Sequence, residues 1–64
     1  MCLSTVRYAT DSESDAPIAS NVTSVVVNGS RIMLTDLMGS EIEVVGAIVR
    51  VDLIKNHIII ATAA

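Results

Sequence analysis

Apolar and polar residues alternate in short runs along this chain, and turn-forming residues separate the runs. A period of two sends successive side chains to opposite faces of a strand, so the pattern predicts an all-β fold. Residues 2–8 (CLSTVRY) form the first expected strand. Residues 9–20 (ATDSESDAPIAS) are polar and acidic, carry the chain's one proline, Pro17, and predict an exposed loop. In NVTSVVVNGSRIMLTD, residues 21–36, Asn28-Gly29 lies between two apolar runs. Both residues tolerate the positive φ of a type I′ turn, so a hairpin is expected. Its register sets Val27 opposite Ser30, Val25 opposite Ile32 and Thr23 opposite Leu34. Val25, Val27, Ile32 and Leu34 then share an apolar face, while Val22, Val26, Arg31 and Met33 share a mixed one.

Asp36-Leu37-Met38-Gly39-Ser40 predicts another turn. Residues 41–54 (EIEVVGAIVRVDLI) are long for a strand. Ile42, Val44 and Ile48 keep one phase, with Glu41 and Glu43 on the other. Beyond Ile48 the phase slips, and Val49, Val51 and Leu53 alternate with Arg50 and Asp52. A one-residue slip exchanges the faces, so a bulge or sharp bend is required, and Gly46 stands where a bend is cheapest. A strand bent in this way can serve two parts of a small barrel. Lys55-Asn56 makes the last turn, and HIIIAT closes the chain as a fifth strand. The expectation is a single domain over residues 1–64, folded as a small five-stranded open barrel.

Composition changes the picture in one respect. The chain has 64 residues, 52% of them apolar, yet it has no Trp or Phe, and Tyr8 is its one aromatic. A chain this short buries only about 60% of its unfolded surface. A surplus of Val, Ile, Leu, Ala and Met therefore stays exposed, and exposed apolar patches mark interfaces. The expected state is a homodimer. With a single cysteine, an internal disulfide is excluded. The formal net charge is −3, and the four basic residues, Arg7, Arg31, Arg50 and Lys55, are scattered along the sequence. The basic footprint and the aromatic platform of a nucleic-acid binder are both missing, so no nucleic-acid partner is expected. The longest apolar run, Ile58–Ala61, is far too short to span a bilayer. No charged start followed by an apolar run announces a signal peptide, and the expected compartment is the cytoplasm, where a free thiol survives.

Candidate chemistry is sparse, and the chain does not read as an enzyme. It has one histidine, one cysteine and no phosphate loop. Cys2 with His57 lacks the third, orienting group that a nucleophile and base require. Asp11, Glu13 and Asp15 begin like a calcium loop but lack its glycine and its distal glutamate, so they read as a solvated loop. His57 opens the last strand and reads as a surface residue. Met1, Met33 and Met38 read as gap fillers or interface residues. Cys2 has two readings. It is a small hydrophobe covered by a second chain, or a metal ligand that a two-fold axis would bring to its own copy. Two thiolates and two nitrogens in a plane suit Ni²⁺ or Cu²⁺. Chemistry alone puts packing ahead.

The residues carry a resemblance that reverses that order. The opening MCLSTV, the hairpin and turn NGSRIMLTDLMG, and the closing stretch VGAIVRVDLIKNHIII together resemble the CooT family in order, spacing and total length. The acidic loop at 9–20 is outside the match. The resemblance implies a small cytoplasmic homodimer with a compact SH3-like or Sm-like barrel. It further implies Ni(II), one per dimer, bound through Cys2 and delivered to carbon monoxide dehydrogenase. The partners it implies are the nickel-enzyme apoprotein or other maturation factors. Two alternatives stand beside it. One is a protein-interaction module resembling the HypC maturation chaperones, although this chain lacks their early proline and C-terminal helix. The other is a small RNA-binding barrel, against which the acidic balance argues.

Overall fold

The computed structural model describes residues 3–12 and 14–62. Among them are six β-strands and no helix: β1 (Ser4–Tyr8), β2 (Ala19–Asn28), β3 (Arg31–Asp36), β4 (Glu41–Val45), β5 (Ala47–Asp52) and β6 (His57–Ala61). All six belong to one open sheet in the order β4-β3-β2-β1-β6-β5. The expected strand count was five. The sixth arises because the long run at 41–54 is two strands, with a break at Gly46.

That break organises the molecule. β4 pairs with β3 at one edge of the sheet, and β5 pairs with β6 at the other. One buried residue, Gly46, joins the two edges. Its N–H donates to the Ser30 carbonyl at 2.8 Å. A Cβ added at Gly46 would collide with the Ala61 carbonyl oxygen and press on Ile60 Cγ2 at 3.1 Å. Glycine is needed here because the backbone of the last strand passes over the joint.

The hairpin between β2 and β3 forms one residue later than the sequence suggests. Asn28 pairs with Arg31, and the two-residue loop is Gly29-Ser30. Gly29 has φ of 62°, while neither Asn28 nor Ser30 is in the left-handed region. A positive φ at the first loop position alone is the pattern of a type II′ turn, not type I′. The register moves by two, so that Val27 faces Ile32 and Val25 faces Leu34. A shift of two preserves the faces, and the apolar side is the one expected. Val22 departs from expectation. An irregularity between Val22 and Ser24, beside Asn21 at φ of 55°, turns Val22 onto the core face opposite Asp36.

The core consists of Val6, Val22, Ile32, Leu34, Val44, Ile58 and Ile60, and Tyr8, Ile18, Ala19, Val25 and Ile48 pack against it. Among the described residues every buried core side chain is aliphatic, which fits a sheet curled tightly over small side chains. Replacing Ile60 by Ala is expected to cost about 2–5 kcal/mol, because Ile60 is fully enclosed. Glu41→Ala, at an exposed position of β4, is expected to change stability by less than about 0.5 kcal/mol. Gly46→Ala is expected to cost about 1–3 kcal/mol through overpacking at the joint. Urea titration of the three variants checks the order.

Candidate functional site

β1 lies in the interior of the sheet, between β2 and β6. It runs parallel to β6, with Thr5 beside His57, Val6 beside Ile58, Arg7 beside Ile59 and Tyr8 beside Ile60. β5 flanks β6 on the other side, pairing Asp52 with His57 and Arg50 with Ile59. Val6, Ile58 and Ile60 point into the core. The outward face of these three strands therefore carries two rows across the sheet. One is Thr5, His57, Asp52, and the other is Arg7, Ile59, Arg50.

A bulge makes the second row possible. Ile48 and Arg50 are two apart and would share a face in a regular strand. The register shifts between them, Ile48 opposing Ile60 and Arg50 opposing Ile59. Ile48 stays against the core, and Arg50 is re-aimed outward, an established use of bulges. This is the phase slip visible in the sequence after Ile48.

The start of β1 is held by the turn between β5 and β6. Thr5 N–H donates to the Asn56 carbonyl at 2.9 Å. Asn56 adopts φ of 55°, which Asn accepts more readily than most residues. Asp52 braces the same turn: its Oδ1 accepts from Ile54 N–H at 3.1 Å and Lys55 N–H at 2.9 Å. Its Oδ2 accepts from Arg50 Nη2 at 3.1 Å. The Lys55 amide bond is the largest influence, and with the Ile54 amide and the charges of Arg50 and Lys55 it holds the Asp52 carboxyl below its ordinary value against an opposing desolvation.

Two hollows open on this face. The larger, about 360 Å³, is lined by Arg7, Arg50, His57, Ile59 and Val49, together with Tyr8, Ala9, Asp11 and Ser12. The smaller, about 110 Å³, is lined by Arg50, Asp52, Lys55, His57 and Ile59. Three of the four basic residues and the one histidine thus meet on one face, although they are scattered in sequence. The loop acids bond to their own turn. Asp11 Oδ2 accepts from Tyr8 N–H, and Asp15 Oδ2 accepts from Ser12 N–H.

Cys2, the expected metal ligand, lies outside the described residues, as do Met1 and Glu13. His57 opens β6 as expected, half-buried on the outer face. Among the described residues no group of three or more His, Cys, Asp or Glu side chains is placed to hold a metal ion, and no helix is long and apolar enough to cross a membrane.

The fold and this end of the sheet define a class: small all-β proteins whose first strand lies inside a curled sheet and begins beside a turn. The family model described as CO dehydrogenase accessory protein CooT matches residues 1–61, and the chain belongs to the CooT family. The match takes in Cys2. No curated protein matches. The crystal structure of a protein assigned as CooT from Carboxydothermus hydrogenoformans superposes with a TM-score of 0.82. It covers 98% of this chain and 100% of its own at 13% identity, a likeness of fold.

Because folding lowers the Asp52 pKa, its contribution to stability is complete above the ordinary aspartate range, about 3.9. That contribution is lost as pH falls through the lower folded value. Asp52→Asn is therefore expected to lower the melting temperature at pH 7 and to narrow the gap to the parent protein as the pH drops toward acid. Melting curves across that range test this, and a gap that widens in acid contradicts it.

Proposed function

We propose that this chain is a nickel-binding accessory protein for maturation of a nickel enzyme, carbon monoxide dehydrogenase, with Ni(II) held between the Cys2 residues of two copies. The observation that carries this reading is the family match, which runs from residue 1 and includes Cys2. The ion is cargo. An exposed site with few protein ligands releases its metal by ligand exchange, whereas a closed four-ligand cage retains it.

The end of the sheet where β1 begins supports a seam between two copies. Cys2 is three residues from Thr5, a stretch of chain that reaches at most about 10 Å. Thr5 is bonded to the turn at 53–56, and that turn exposes Leu53 at 80% and Ile54 at 95%. Large aliphatic side chains this exposed favour cover by an apolar partner. A two-fold axis through this end brings equivalent residues together, the two thiols included. Backbone nitrogen near the chain start supplies the remaining donors, and nickel accepts such a planar sulfur and nitrogen set.

Nickel titration of the parent protein and of Cys2→Ala tests the reading. The parent is expected to bind about half an equivalent per chain, as a site on a two-fold axis requires, and the variant none. Equal binding by both proteins rejects Cys2 as the ligand. Sedimentation of Ile54→Glu is expected to shift the protein from dimer to monomer, and a monomeric parent protein removes the shared site.

A further inference from the structure

The outer face of β1, β6 and β5 has features that the proposed nickel site does not use. Arg7 and Arg50 stand on either side of Ile59, one on each neighbouring strand. Two strand spacings separate their Cα atoms, about 10 Å. Both line the 360 Å³ hollow, whose floor and walls include Ile59 and Val49. The bulge before Arg50 is what puts that side chain here; without it, Arg50 would share the core face with Ile48.

The donors are not exhausted by the protein. Arg7 spends Nη1 on a neutral acceptor, the Asp15 carbonyl, at 2.7 Å. Among the described residues Arg7 and Lys55 make no ion pair, and Arg50 gives only Nη2 to Asp52. A guanidinium carries five N–H donors, so among the described residues each arginine keeps a free edge for a planar oxyanion. Of the nearby carboxylates, Asp11 lines the hollow and accepts from Tyr8 N–H, Asp15 accepts from Ser12 N–H, and Asp52 accepts from the Ile54 and Lys55 amides and from Arg50. In a chain of net charge −3, this is a local concentration of free donors.

We infer that this cleft binds a small organic dianion with two carboxylates joined by a short apolar segment. One carboxylate meets each guanidinium in bidentate fashion, and the apolar link lies on Ile59 and Val49. A compact inorganic anion reaches one arginine well and leaves the apolar floor wet. A monocarboxylate uses half of the donors. Pockets of this size with an apolar lining and a few convergent polar groups are the usual form of small-ligand sites. The inference is independent of Cys2 and of any metal.

The test is amide NMR of the full chain during titration with succinate or glutarate, with acetate and inorganic phosphate as separate arms. The dicarboxylates are expected to shift the amides of Arg7, Arg50 and Ile59. Arg7→Gln and Arg50→Gln are each expected to weaken binding about tenfold, the loss of one charge-assisted contact. Arg31→Gln, on the far part of the sheet and paired with Glu43, is expected to leave it unchanged. Each variant's amide spectrum reports whether the fold is intact. Absence of shifts at millimolar dicarboxylate overturns the inference, as does undiminished binding by both cleft variants. Equal or tighter binding of acetate or phosphate overturns the two-carboxylate assignment.

Discussion

The structure depends on one close approach, that of the Gly46 backbone to the Ala61 carbonyl. A sheet of six strands has two edges, and an unpaired edge is a liability in so short a chain. Here both edges are halves of one run of residues, turned at a point where no side chain fits. The bend brings β4 to β3 and β5 to β6, and the sheet curls until seven aliphatic side chains fill its inside. A Cβ at position 46 opposes that curl directly, because the atom it meets belongs to the backbone of the last strand and cannot rotate aside.

The curl also decides which apolar residues are left over. The core takes Val, Ile and Leu from the central strands and leaves Val26, Val27, Val45, Val49, Val51, Leu53 and Ile54 substantially exposed. Several of these lie on the far hairpin or on the turn beside the start of β1. No arrangement of one thin sheet encloses them all, since each strand has only one inward face. The apolar excess in the composition therefore reappears as surface. Leu53 and Ile54 lie on the turn that anchors Thr5, the end of the sheet to which the proposed seam is assigned.

The outer face is the complement of that core. The parallel pairing of β1 with β6 aligns Arg7 with Ile59, and the β5 bulge completes the row with Arg50. Asp52 neutralises part of that charge and also braces the turn. A single carboxylate thereby links the stability of the turn, the placement of β1 and the electrostatics of the cleft.

Much of the fold was legible from local pattern. Alternation announced the strands, Asn28-Gly29 announced the hairpin, and the slip after Ile48 announced the bulge. These are short-range effects of backbone sterics and side-chain period. The exact loop position was not legible, because Asn28-Gly29 and Gly29-Ser30 both accept a two-residue turn, and cross-strand packing chose between them. The alternation puts Val22 on the mixed face, because nothing local marks the irregularity at Val22–Ser24 that turns it inward. Cys2 was singled out by its chemistry and by resemblance, and its place lies outside the described residues. His57 was placed correctly at the start of the last strand, but its neighbours were not foreseeable. By itself the sequence determined the element types, the faces of the hairpin, the bend at Gly46 and the family. Tertiary structure alone decided that the first and last strands lie side by side in parallel, and so gathered Arg7, Arg50, Lys55 and His57 on one face. Contacts between residues some fifty positions apart leave no periodic trace in the chain; they emerge only when burial selects one sheet order.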